Sequence, residues 1–323
     1  MKKYKAAFVT DSGWKRVNYV YTAAQQKEIS EISELLPDVY GTEDILAGKL
    51  ADVEVIFSTW GMPALNAEMM DRMPELQAVF YGAGATDGFA RPCFERNVKV
   101  FSAWLANAIP VAEFCLGQIL LGLKGYFRYA RTLDSKEKFN LQMVGPGCYG
   151  ETVALIGAGA ISNKLQELLK AFNVNVVVVP SRKENRTVSL EEVFAKAMVV
   201  SNHLPNRDDN VGVLNGELFA SMREGAVFIN TGRGPQVNEA EMIDVLKKRP
   251  DLTALLDVTY PEPPENDSEL YKLPNVFVSP HIAGSLNDEV HRMADYMIGE
   301  YKRFANGEET LYEVKESMLL TSR

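Results

Sequence analysis

Residues Val153 to Ser162 read VALIGAGAIS, an apolar run that passes directly into Gly157-Ala158-Gly159-Ala160-Ile161-Ser162. The run predicts a strand, and Ile161, Leu165, Leu168, Leu169 and Phe172 recur at helical spacing behind it. Gly157 permits the tight turn between the two, and Gly159 lets the backbone approach a pyrophosphate. Ala160 and Ile161 open a helix whose free N–H groups and positive dipole end face that charge. A glycine pair alone also occurs in ordinary turns; the strand before it and the helix after it turn this one into a dinucleotide site. Ser162 stands where a third Gly or Ala is usual, which loosens the match.

The same alternation runs outward in both directions. Upstream, strand-like runs at Ala6 to Val9, Val53 to Ser58, Leu76 to Tyr81 and Val98 to Phe101 alternate with helical patterns near Gln25 to Leu36 and Asn66 to Met73. A long helix is predicted from Pro110 to Thr132, ending before the loop GPGCYG at 145 to 150. Downstream, runs at Val176 to Val179, Met198 to Ser201, Ala226 to Asn230, Leu252 to Val258 and Asn275 to Ser279 read as apolar throughout, so both faces of their sheet are expected to be covered. Capping-box spacing marks helix starts at Ser189 with Glu192 and at Asn238 with Glu241. Strands separated by helices imply parallel sheets with right-handed crossovers. The last helix, Asp288 to Ala305, follows the completed second sheet and stops at Asn306-Gly307, so it is expected to return to the first domain.

At 323 residues the chain exceeds what one core usually supports, and two domains are expected. With 46% hydrophobic and 24% charged residues it has the composition of a globular protein. A formal charge of -9 with short basic runs speaks against a nucleic-acid partner, which would need clustered Lys and Arg. The apolar stretch in MKKYKAAFVTD is too short for a signal peptide, and nothing later is read as a membrane span, so the expected compartment is the cytoplasm. Cys93, Cys115 and Cys148 are unevenly spaced without a CxxC, which indicates neither a disulfide nor a zinc site; no metal is expected.

The end of the second strand of that sheet bears on the choice of cofactor. NAD usually finds an acidic residue there for its ribose 2′-hydroxyl, whereas this chain has Pro180-Ser181-Arg182-Lys183. Ser181 can donate to a 2′-phosphate while Arg182 forks onto it, with Lys183 or Arg186 nearby, so NADP(H) is favoured over NAD(H). The plainer alternative is a solvated basic turn.

Three further segments fall where strands of this sheet end: INTGRG at 229 to 234, LDVTYPEPP at 256 to 264 and SPHIAG at 279 to 284. They bring an Arg, a Glu and a His to the side of an open parallel sheet that binds ligands. Together with YGAGATDGF at 81 to 89, NAIPVAEF at 107 to 114 and SNHLPN at 201 to 206, and in this order, the chain resembles the D-isomer-specific 2-hydroxyacid dehydrogenases over nearly its whole length. The resemblance implies a Rossmann nucleotide-binding domain at 104 to 285. A discontinuous, flavodoxin-like substrate domain is then made of 1 to 103 and 286 to 323, both domains being doubly wound α/β sheets. It makes His281 the proton donor and acceptor, Glu262 its carboxylate partner, and Arg233 the group that binds the substrate carboxylate and carbonyl. Asp257 is implied on the nicotinamide side, and backbone amides at Ala83 and Gly84 are implied to hold the substrate carboxylate; Pro205 and Thr231 are cofactor-side candidates, and His203, which follows a strand end, is either a structural histidine or one that lines the cofactor cleft. A homodimer formed through the nucleotide domains is implied as well. One departure is that Ala85-Thr86 intervene between the GAG and Asp87, where the family commonly has Asp sooner.

The chemistry independently suits these side chains. Reducing a 2-oxo acid builds negative charge on the carbonyl oxygen, so a fixed cation such as Arg233 favours the transition state over the ground state. The same oxygen must gain a proton, and an imidazole oriented by a carboxylate can supply it. Singly, His281 could be a loop histidine, Glu262 a solvated charge and Arg233 a brace for a glycine turn; it is their joint placement that points to catalysis. The expected function is NAD(P)H-dependent interconversion of a small 2-oxo and 2-hydroxy acid, such as glyoxylate or hydroxypyruvate. The alternative is a nucleotide-sensing scaffold like the corepressors that share this fold.

Overall fold

The computed structural model describes residues 1–130, 133–140 and 145–319. The chain divides into two compact units, Met1–Asn107 with Ser285–Arg323, and Ala108–Gly284. In the first unit, strands β1 (Lys5–Val9), β2 (Glu34–Tyr40), β3 (Val55–Ser58), β4 (Ala78–Tyr81) and β5 (Lys99–Ser102) form a parallel sheet in the order β2-β1-β3-β4-β5. That is the flavodoxin-like order, with its switch point between β1 and β3. Side chains alternate between two buried layers. Phe8, Phe57, Phe80 and Phe101 face the helices Gly13–Val20, Ala23–Ile32 and Val290–Asn306, while Val9, Ile56, Val79 and Val100 face the other layer. Register places Phe57 beside Phe80 and Phe80 beside Phe101, and the rings stack at 5.4 and 4.9 Å. The helix Val290–Asn306 packs Met293, Met297 and Tyr301 onto this aromatic row and ends at Gly307 in the left-handed region.

In the second unit, β6 (Glu151–Ile156), β7 (Val174–Val179), β8 (Val199–Asn202), β9 (Val227–Asn230), β10 (Thr253–Leu256) and β11 (Val276–Val278) are all parallel in the order β11-β10-β9-β8-β6-β7. The crossovers from β6 to β7 and from β7 to β8 land on opposite sides of β6, which puts the switch point between β6 and β8. Among the described residues no strand lies outside β7. β7 is therefore an edge, and its valines from Val174 to Val178 are half-buried, not covered on both faces as the apolar run suggested.

Several expectations change at this level. The helix expected over 25 to 36 ends at Ile32, where Ser33 donates back to the Ile29 carbonyl, and Leu35 and Leu36 belong to the edge strand β2. An edge also tolerates Pro37, which has no N–H to donate. The helix expected from Pro110 runs instead over Trp104–Leu123, with Pro110 inside it, and a turn at Gly125 separates it from Tyr126–Ala130. Positions 131 and 132 of that expected helix lie outside the described residues. Trp104–Leu123 has the length and apolarity to cross a membrane, contrary to the reading that nothing does. Here Val111, Ala112, Cys115, Ile119 and Leu123 are buried with β6, β8 and β9 side chains, as in a core helix. Both capping boxes are half formed. Ser189 and Asn238 accept from the N–H groups of Glu192 and Glu241, but those carboxylates turn to Lys196 and to the Gly216 N–H.

Candidate active site

The glycine turn after β6 adopts a conformation that only glycine tolerates well: Gly157 has φ +109°, and a Cβ there would come within 2.4 Å of the His203 carbonyl oxygen. The turn is thus packed directly on the backbone that follows β8. Gly159 caps the helix Ala160–Leu169, and a Cβ on it would meet nothing within 4 Å, so the space before the helix end is open. First-turn N–H groups, including those of Ala160 and Ile161, have no acceptor within their helix. This open cradle fits the pyrophosphate of a dinucleotide. Ser162 does not loosen the turn: it is fully buried and donates its hydroxyl to the Gly157 carbonyl at 2.6 Å.

Beyond β9, the amide side chains of Asn202, Asn230 and Gln236 bond to one another around Gly232, and Gln236 also accepts from the Arg233 N–H at 3.1 Å. From its other end Gln236 donates to the carbonyls of Leu204 and Pro205. At Gly234 a Cβ would lie 1.9 Å from the Thr259 carbonyl oxygen, so the Arg233 turn presses against the turn that carries Glu262. The exposed Arg233 side chain donates to the Gly232 carbonyl and forms no salt bridge with a described carboxylate.

His281 Nδ1 lies 2.6 Å from Glu262 Oε1, with both side chains about half exposed. This contact leaves Nε2 as the ring nitrogen available to a substrate. His281 sits at φ +53°, unusual for a residue with a side chain, and the loop is held there by Asp257. The buried Asp257 carboxylate accepts from Ser279 Oγ, from the Ile282 N–H and from the Ala283 N–H. The structure thereby gives Asp257 a role the sequence reading missed, as the clamp of the histidine loop.

The His203 backbone lies against the glycine turn, while its ring turns inward. It is buried, with Nε2 2.9 Å from Ser201 Oγ and Nδ1 3.2 Å from Thr231 Oγ1, which in turn contacts Cys115 Sγ. Burial lowers its pKa to about 4, so the ring is neutral and both nitrogens are engaged inside the protein. The Thr231 hydroxyl is drawn into the same buried chain. After β7, Ser181 is half-buried while Arg182 and Lys183 are exposed.

In the first unit, Ala83 and Gly84 follow β4. Their carbonyls accept from Ser102 Oγ at 2.8 and 2.6 Å, while their own N–H groups find no backbone acceptor among the described residues. The signal that sequence reasoning overlooked in the second unit was the polar residue closing an apolar strand: Asn202 ends VVSN and Asn230 ends VFIN.

Residues 116–283 match the family model described as D-isomer specific 2-hydroxyacid dehydrogenase, NAD binding domain, and the chain belongs to that family. It is 33% identical over 203 residues to YoaD of Bacillus subtilis, a 2-hydroxyacid dehydrogenase by name; the match covers 59% of this chain and spans 59% of that relative's length. With the (S)-sulfolactate dehydrogenase of Chromohalobacter salexigens it shares 28% identity over 249 residues, covering 74% of this chain and 81% of the relative. Among solved structures, D-mandelate dehydrogenase of Rhodotorula graminis shares the fold with a TM-score of 0.79, at 19% identity and 98% coverage of each chain.

Proposed function

We propose that this chain reduces a small 2-oxo acid to the D-2-hydroxy acid, or runs the reverse, with a nicotinamide cofactor. The contact between His281 Nδ1 and Glu262 Oε1 is the observation that carries this reading, because it leaves Nε2 to face a carbonyl oxygen. When bound, the reduced nicotinamide supplies a hydride to the carbonyl carbon. His281 delivers a proton from Nε2 to the oxygen, so the product is an alcohol beside an intact carboxylate. Glu262 fixes the tautomer and the ring orientation. Half exposure of the pair lets the ring recover its proton from water. Arg233 meets the substrate carboxylate and the charge that grows on the carbonyl oxygen, and the absence of a carboxylate partner among the described residues supports this assignment. Ala83 and Gly84, whose N–H groups find no backbone acceptor among the described residues, are assigned to the substrate carboxylate.

The first unit is read as the substrate domain and the second as the dinucleotide domain. Glyoxylate and hydroxypyruvate are the proposed substrate class, and NADPH the proposed cofactor, on the strength of Ser181, Arg182 and Lys183 at the end of β7. A homodimer is proposed through the helix that exposes Leu121. A panel of 2-oxo acids with NADPH and NADH tests the reading. Oxidation of the cofactor with a short 2-oxo acid is expected; tight nucleotide binding without turnover of any acid would favour a sensing scaffold instead.

A further inference from the structure

The loop after β8 carries a cation that stands 26 residues from the basic turn after β7 yet reaches it in space. Arg207 is almost fully buried, its side chain 8% exposed. Asp209 grips it in bidentate fashion, Oδ1 accepting from Nε at 2.6 Å and Oδ2 from Nη2. The third arm, Nη1, points at Ser181 Oγ, 3.4 Å away. A long flexible side chain is thus held in one orientation, with its remaining donors aimed at the hydroxyl that follows the second strand.

Placement makes this more than a surface pair. Asn202 ends β8 and Val179 ends β7, and these strands flank β6, whose glycine turn forms the cradle. Ligands of doubly wound sheets sit outside these strand ends, with the ribose of a dinucleotide at the end of the second strand. Of the turn's own cations, Arg186 is committed to the backbone. Arg186 donates Nε and Nη2 to the carbonyls of Pro180 and Ser181, and it lines a cavity of about 370 Å³ together with Lys183, Glu191 and Glu217. Arg182 is exposed and held by no described salt bridge.

We propose that Arg207 is a specificity-determining residue for the cofactor: with Ser181 and Arg182 it binds a ribose 2′-phosphate. The proposal rests on the NADP(H) reading above. Ser181 Oγ and Nη1 would meet the phosphate from one side; the Asp209 oxygen on Nε, which an Asn can replace, orients the guanidinium, while the Asp209 charge competes with the phosphate.

Calorimetric binding of adenosine 2′,5′-bisphosphate and of AMP tests this without turnover. The wild-type protein is expected to bind the bisphosphate about tenfold or more tightly than AMP, as charge-assisted bonds to one phosphate allow. Arg207→Gln should abolish most of that ratio while AMP affinity stays within about twofold, and Arg207→Lys should recover part of it, since a point charge replaces a fork. Asp209→Asn retains the guanidinium and removes a competing anion, so it should strengthen bisphosphate binding and leave AMP unchanged; this arm stands even if Arg207→Gln does not fold. Equal binding of the two ligands to wild type would overturn the cofactor reading and this proposal together. A wild-type preference that survives Arg207→Gln, or one that Asp209→Asn weakens, would overturn the role of Arg207 alone.

Discussion

The main-chain N–H of His281 donates to the carbonyl oxygen of Asp257 at 3.0 Å, while the Asp257 carboxylate takes three further hydrogen bonds from the same loop. A single buried residue at the end of β10 therefore determines where the loop after β11 presents its imidazole.

Replacing Asp257 by Asn exchanges one acceptor oxygen for a donor that must face an N–H or a hydroxyl. A stability loss on the order of 1–3 kcal/mol is expected, with a fall in kcat because the ring shifts from Glu262. Urea denaturation and steady-state kinetics check both, and a variant with wild-type stability and kcat would show that the clamp has no such role.

Two glycines should respond oppositely to the same added methyl group. Gly234→Ala drives a Cβ into the Thr259 carbonyl, which must push the Arg233 turn away, so kcat should drop on the order of 100-fold. Gly159→Ala meets open space, so the melting temperature should hold; the methyl occupies the cradle, and nucleotide affinity should weaken by about tenfold or more. A Gly159→Ala protein that binds nucleotide as well as wild type would mean that the pyrophosphate lies elsewhere.

His203 makes stability depend on pH. Its folded pKa, about 4, is below the ordinary 6.5, so between these values the unfolded chain binds more protons and stability falls as pH falls. Above pH 6.5 the ring is neutral in both states and the dependence disappears. The gap corresponds to on the order of 3 kcal/mol lost from pH 6.5 down to pH 4. Denaturant titrations across this window should show a steeper slope for wild type than for His203→Gln, by close to one proton; identical slopes would contradict a buried neutral imidazole.

Much of this arrangement was legible because the physics behind it is local. Apolar runs such as VALI and VFIN are buried strands in almost any context, and a strand followed by Gly157 and Gly159 leaves the chain few alternatives. Less local features escaped. Leu35 and Leu36 continue a helical period but pair with β1, because an open sheet edge competes with one more turn of helix. Trp104 to Ile109 precede a proline that more often opens a helix than interrupts one. In SNHLPN alone His203 reads either as a structural histidine or as one lining the cofactor cleft, and only the packed structure reveals hydroxyls on both ring nitrogens. Arg207 lies too far along the chain from Ser181 for spacing to connect them.

The joint action of His281, Glu262 and Arg233 is tested most directly by His281→Asn, which keeps the loop residue polar and removes the imidazole. With a 2-oxo acid that wild type reduces, kcat should fall by at least about 100-fold, the scale of a lost general acid, while calorimetric affinity for the nucleotide changes by less than about twofold. Turnover at the wild-type rate with nucleotide binding intact would contradict the account.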